Sequence, residues 1–176
     1  PSEFRRFWNG KGPTLQVRYR ISVPKKYNVD TTTSGGGIVV SDLGGEARCK
    51  TSGGGLRLGA IAGSIWGRTS GGGIHVDSCQ GAVDLETSGG GIDIGGVDGN
   101  VVARTSGGSI AVKKARRDVT ARTSGGGITL SEVSGKIEAS TSGGGVFARI
   151  LDQPDGACNL TTSGGSSLRL CSKGLP

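Results

Sequence analysis

Apolar residues recur in this chain at fixed distances from a repeated Thr-Ser-Gly-Gly. The leading threonines, Thr33, Thr51, Thr69, Thr87, Thr105, Thr123, Thr141 and Thr162, are each counted as place 1 of a unit. Place 6 then holds Ile38, Leu56, Ile74, Ile92, Ile110, Ile128 and Val146, and place 8 holds Val40, Leu58, Val76, Ile94, Val112, Leu130 and Ala148. Place 11 holds Leu43, Ile61, Cys79, Val97, Ala115 and Val133. Place 15 holds Ala47, Ile65, Val83, Val101, Val119, Ile137 and, reading the longer seventh unit backward from Thr162, Cys158. Place 17 is small or apolar throughout, from Cys49 and Gly67 to Ala139 and Leu160. Places 7, 9, 16 and 18 are mixed and mostly polar. Alternation within 6-8 and within 15-17-1 is the signature of strands with one buried face. The glycines at places 3 to 5 and at place 13 separate these runs as turns.

The threonines are 18 residues apart six times, and the last interval is 21. A flexible Gly/Ser linker has no reason to keep a period. A ladder of antiparallel hairpins could use the same strands and turns, but it needs no identical residue at every eighteenth place. A parallel stack does, because equivalent positions lie above one another. The pattern therefore predicts an all-β fold, a β-solenoid (parallel β-helix) of about eight 18-residue coils. At about 4.8 Å per coil the rod would be on the order of 40 Å long. The place-1 threonines continue the inward phase and should form a hydroxyl ladder inside, with the place-2 serines outward. A phosphate-cradling loop is excluded, since neither the lysine nor the helix that follow such glycines is present.

Residues 29–171 are expected to form the solenoid, 172–176 a tail and 1–28 an N-terminal cap. "TLQVRYRISVP" places Leu15, Val17, Tyr19, Ile21 and Val23 on one face and polar residues on the other, a capping strand ended by Pro24. Phe4, Phe7 and Trp8 precede it as a plug on the first coil or an assembly contact. The chain opens on Pro1, as a processed chain or a fragment would. Apolar residues at 33 % and aromatics at 4 % suit a narrow core of small aliphatics in one domain. No apolar run is long enough to span a membrane as a helix.

"VRYRISVPKKYNV", the repeated "ARTSGGGI" and "LDQPDGACNLTTSGG" together resemble a bacterial domain-of-unknown-function family, labelled adhesin, whose members carry TSGG β-strand repeats. The resemblance covers about Leu15 to Leu170. It implies an exported β-solenoid of the cell envelope without established enzymatic activity, and it brings no catalytic motif. The chain ends soon after its eighth TSGG, so a C-terminal strand or cap of the family is expected to be missing.

Candidate chemistry is sparse. Cys49 and Cys79, two coils apart, read as small buried hydrophobes whose axial offset of roughly 8 Å exceeds disulfide reach. Cys158 and Cys171 lie close enough along the axis for a disulfide in an oxidising compartment. His75, the sole histidine, is at an outward place next to Asp77 and near Asp84, and no nucleophile motif accompanies it. "GGGIDIGGVDG" has the look of a calcium-binding β-roll, but Asp93 is replaced in the other units by Arg57, His75, Ala111 and Thr129. The six-residue aliphatic repeat of hexapeptide acyltransferases is lacking, and so is the carboxylate cluster of carbohydrate-cleaving β-helices. An ice-binding face would need a flat outward threonine array, and charged residues at places 16 and 18 interrupt it. No metal site or cofactor is expected.

Charge adds one lead. The net charge is +7. Lys50, Arg68, Arg104 and Arg122 share place 18, with Glu86 and Ser140 interrupting, and "KKARR" adds Lys113, Lys114, Arg116 and Arg117. These eight cations are a candidate face for anionic polysaccharide or lipid headgroups. Trp66 is the clearest surface aromatic beside them, too few for single-stranded nucleic acid, so no specific nucleic-acid partner is expected. The expected function is a non-enzymatic scaffold or adhesive module, displayed on the bacterial envelope or outside the cell, with self-association end to end. The alternatives are a carbohydrate-active β-helix enzyme and a basic-face binder.

Overall fold

The structure, a computed structural model, describes residues 20–150, 157–164 and the strand 168–172, the last by its backbone. It is a parallel β-solenoid with two strands per coil. The first sheet stacks β1 (Val29–Thr33), β3 (Ala47–Thr51), β5 (Ile65–Arg68), β7 (Val83–Glu86), β9 (Val101–Arg104), β11 (Val119–Thr123), β13 (Ile137–Thr141) and β15 (Cys158–Thr162) in that order. The second stacks β2 (Ile38–Val40), β4 (Leu56–Ile61), β6 (Ile74–Cys79), β8 (Ile92–Val97), β10 (Ile110–Ala115), β12 (Ile128–Val133), β14 (Val146–Ile150) and β16 (Leu168–Ser172). No helix occurs among the described residues.

Register follows the 18-residue count, for example Ile74↔Ile92 and Val119↔Ile137. The residues at places 6, 8, 11, 15 and 17 are buried in almost every coil and form one continuous core between the sheets. Each buried Val, Leu or Ile contributes about 1.5–3 kcal/mol, so four or five per coil stabilise a fold poor in aromatics. Residue size is adjusted locally within a column. Gly67 leaves the space that Leu85 fills, since a Cβ there would come within 2.8 Å of the Leu85 Cδ2. Places 9 and 10 both stay off the core in the six-residue strands of the second sheet, as Asp77 and Ser78 do in β6.

The place-1 threonines are stacked inside, but their hydroxyls do not bond to one another. From Thr51 onward each donates to the place-4 glycine carbonyl of the coil below: Thr69 to Gly54 at 2.7 Å, Thr105 to Gly90 and Thr141 to Gly126 at 2.8 Å. Most also accept the place-4 amide of their own coil, as Thr141 does from Gly144 at 3.2 Å. A buried hydroxyl must find such partners, and the place-4 backbone is what lies within reach.

Close approach, not unusual backbone torsion, explains the glycines. No described glycine from Gly35 to Gly144 has φ in the left-handed region. A Cβ on place-4 Gly90 would overlap the backbone of Gly72, and one on Gly81 would lie 2.7 Å from the Gly63 backbone. Place 5 is looser. A Cβ at Gly91 would lie 3.0 Å from the Ser109 carbonyl, and the chain itself carries serine at Ser109.

Two expectations need correction. Of the capping strand, Leu15, Val17 and Tyr19 lie outside the described residues, and Arg20 to Pro24 is not strand. Coil register aligns Arg20 and Ser22 with inward places 6 and 8. Its apolar residues therefore run in the opposite phase to the solenoid, and a one-residue offset exchanges faces. Ile21 is 80 % exposed as a result. Lys25 to Asn28, by contrast, already follow the coil path over the first turn: Gly44 N–H donates to the Lys25 carbonyl at 2.6 Å and Glu46 N–H to Asn28 Oδ1 at 2.9 Å. The second correction is in the seventh unit, where the count gave place 11 no occupant. Register shifts after Leu130↔Ala148, and Ile150 pairs with Val133 and is buried in its place.

Candidate functional site

The candidate basic face divides between the two sheets. Lys50, Arg68, Arg104 and Arg122 project from β3, β5, β9 and β11 in one column, since Lys50 pairs with Arg68, Arg68 with Glu86 and Arg104 with both Glu86 and Arg122. Lys113 and Lys114 project from β10 of the opposite sheet, with Arg116 and Arg117 in the turn after it. Outward residues of two sheets packed on one core point away from each other.

Most of these cations also have partners. Arg68 holds Asp84 through two bonds, Nη1 to Oδ1 at 3.1 Å and Nη2 to Oδ2 at 3.0 Å, and its Nε lies 3.2 Å from Glu86. Arg104 is 3.8 Å from Asp84, and Arg122 donates to Glu138. Lys114 is 3.8 Å from Glu132 and Arg116 3.1 Å from Asp98. Such pairs contribute about 0–1 kcal/mol each, and each carboxylate offsets the charge of the cation it holds. Lys50, Lys113 and Arg117 have no carboxylate partner among the described residues. The carboxylates come from places 16, 18, 10 and 12 of the same or neighbouring coils, so the repeat itself carries them.

Trp66 lies at place 16 between cations, with the Arg48 and Arg68 guanidiniums 4.8 Å and 4.9 Å from its ring centre. A shallow groove of about 550 Å³ runs past it along the first sheet, lined by Asp30, Arg48, Trp66, Asp84 and Asn100 among others. A second, of about 440 Å³, crosses β2, β4 and β6 beside Val39, Arg57 and His75.

His75 is held between two carboxylates, Nε2 2.9 Å from Asp77 Oδ1 and Nδ1 3.3 Å from Asp93 Oδ2. The second partner is therefore Asp93, one coil on in the same column, and not Asp84, which projects from the other sheet. The period itself carried that signal, as Asp93 follows His75 by 18 residues. Asp93 Oδ1 is buried without a hydrogen-bond partner. No group of three His, Cys, Asp or Glu side chains among the described residues is placed to hold a metal.

The cysteines are sequestered. Cys49 is buried in the first sheet, and its thiol is pushed up to about 11 by burial and, secondarily, by the Asp30 carboxylate. Cys79 is buried in the second sheet and donates to the Gly63 carbonyl at 3.1 Å, and burial raises its thiol too. Cys158 is a half-buried free thiol in β15. Cys171 stands in β16 of the opposite sheet, and its side chain is outside the described residues, as are the candidate assembly residues Phe4, Phe7 and Trp8. Comparison with family models, with curated proteins and with solved structures finds no match to this chain.

Proposed function

We propose that this chain is a non-enzymatic scaffold or adhesive module of the bacterial cell envelope, working by surface display or by end-to-end assembly. The observation that carries this is the coil register. Because every place stacks on its equivalent 18 residues away, each outward place becomes a straight column along the rod, such as Asp30, Arg48, Trp66 and Asp84 at place 16. Columns whose members repeat about every 4.8 Å on a rigid core can meet an extended polymer or a second rod at many points at once, and many weak contacts then add up to firm retention. The test immobilises the full chain on beads and challenges it with envelope polysaccharides. Retention of polymer at unchanged length supports the scaffold. Release of shortened polymer overturns it in favour of a carbohydrate-active β-helix enzyme.

A second function, binding of anionic glycan or lipid headgroups, is favoured by the unpaired Lys50, Lys113 and Arg117. If it operates, retention on anionic vesicles should fall steeply with salt and should weaken when these three are changed together to Gln. Equal retention by the triple variant and the wild type would leave those cations as solvated surface.

A further inference from the structure

Four observations meet at the N-terminal end of the rod. The first is a double edge that no described strand covers. β1 and β2 are the terminal strands of their sheets. Val29 N–H donates to the Glu46 carbonyl and Ile38 N–H to the Gly55 carbonyl, so in a parallel ladder the alternate residues Asp30, Thr32 and Val39 turn their amides and carbonyls away from the stack. The second is apolar exposure. The large hydrophobic residues that stand exposed among those described are Ile21, Val23, Tyr27 and Val39, and all four are at this end. The third is an unfilled latch. Thr51, Thr69, Thr87, Thr105, Thr123, Thr141 and Thr162 each donate to a glycine carbonyl of the coil below. Thr33 occupies the same place and has no acceptor among the described residues. The fourth is the phase conflict at Arg20 and Ser22, which align with the inward places of β2 and do not pair with it.

We infer that this end docks the last coil of a second copy, with β15 and β16 of one chain continuing into β1 and β2 of the next. This rests on the scaffold function and specifies its partner and its contact. Complementarity is built into the repeat. β15 and β16 are the opposite terminal strands of the same two sheets. In-register docking would set Cys158 on Val29, Leu160 on Thr31 and Thr162 on Thr33, the same places that already pair within the chain. Half-buried Cys158 and Leu160 at one end and half-buried Val29 and Thr31 at the other would be buried together. The contact is heterologous, so a copy docked at one end leaves the same end free, and the product is a line of rods. The binding mode is strand addition, with main-chain bonds supplying affinity and the inward columns supplying register.

The experiment follows association of the full chain by sedimentation velocity over a wide concentration range, with electron microscopy of the larger species. Linear rods whose population grows with concentration are expected. Thr33→Val removes the latch donor at nearly constant volume and should weaken association about three- to tenfold. Asp30→Pro removes a free-edge amide and obstructs strand addition while leaving the ladder to β3 intact. It should give a monomer with an unchanged circular-dichroism spectrum. Amide exchange at Asp30, Thr32 and Val39 supplies an independent readout, and should slow as concentration rises. A monomer at every concentration overturns the inference. In that case, slow exchange at those amides would identify the chain's own first residues as the cover, and fast exchange would show an end with no occupant. Rods insensitive to both variants overturn this contact and leave the scaffold standing, whereas the scaffold itself fails through the release of shortened polymer in the bead assay.

Discussion

The Thr87 hydroxyl donates to the Gly72 carbonyl at 2.8 Å, joining one coil to the coil below through the threonine of one Thr-Ser-Gly-Gly and a glycine of the one before it. The bond accounts for the threonine at place 1, which supplies the donor, while the close approach of the coils accounts for the glycine at place 4.

Thr87→Val should therefore lower stability by about 1–2 kcal/mol, because the methyl that replaces the hydroxyl leaves a buried carbonyl unpaired. Thr87→Ser should lose less, since it keeps the donor. Denaturant midpoints check the order, and a Val variant as stable as the Ser variant would remove the latch as a source of stability.

Gly90→Ala and Gly96→Ala make the same chemical change with opposite surroundings. A Cβ at Gly90 would overlap the Gly72 backbone, which cannot move without parting two coils, whereas nothing lies within 4 Å of a Cβ at Gly96. Gly90→Ala should cost several kcal/mol. Gly96→Ala should stabilise by about 0.4–1 kcal/mol through the unfolded chain. Thermal unfolding of the pair decides, and similar shifts would refute the account of the glycines.

Ile92→Asp should be far more damaging than Asp93→Ala. Ile92 is 1 % exposed between neighbouring coils, so the first change buries an unpaired carboxyl at a cost of several kcal/mol. The second removes an outward group whose Oδ1 is already unpartnered and should fall within about 0.5 kcal/mol of wild type. Equal melting shifts would contradict the inward and outward phases.

Cys49 makes stability depend on alkaline pH. Its thiol rises from the ordinary 9.0 to about 11 on folding, so the folded state holds the proton more tightly than the unfolded chain does. The stabilisation is complete below about 9 and is lost as pH rises toward 11. Urea midpoints between pH 8 and pH 11 should fall with pH, and Cys49→Ala should make the fall shallower. Parallel curves for the two proteins would exclude Cys49 as the titrating group.

The sequence by itself determined the period, the strands and the inward places. In a parallel stack every residue sits on its equivalent one coil away, so a constraint on one coil is written again in all of them. Ile74, Ile92 and Ile110 carry the same information three times, and the 18-residue spacing even holds the contact between His75 and Asp93. What only the tertiary structure decided are relations that cross places or break the repeat. The Thr87 hydroxyl found Gly72 and not another threonine, because the turn of the coil below brings a carbonyl nearer than the next hydroxyl. Arg68 met Asp84 and Glu86, and Arg122 met Glu138, so of the place-18 cations Lys50 alone lacks a carboxylate partner among the described residues. Ile150 took an inward place by a register shift that counting could not foresee. Arg20 to Val23 alternates as a strand should, yet it stays off the rod. Alternation reports that one face is apolar, and only the coil it would join decides whether that face is the one turned inward.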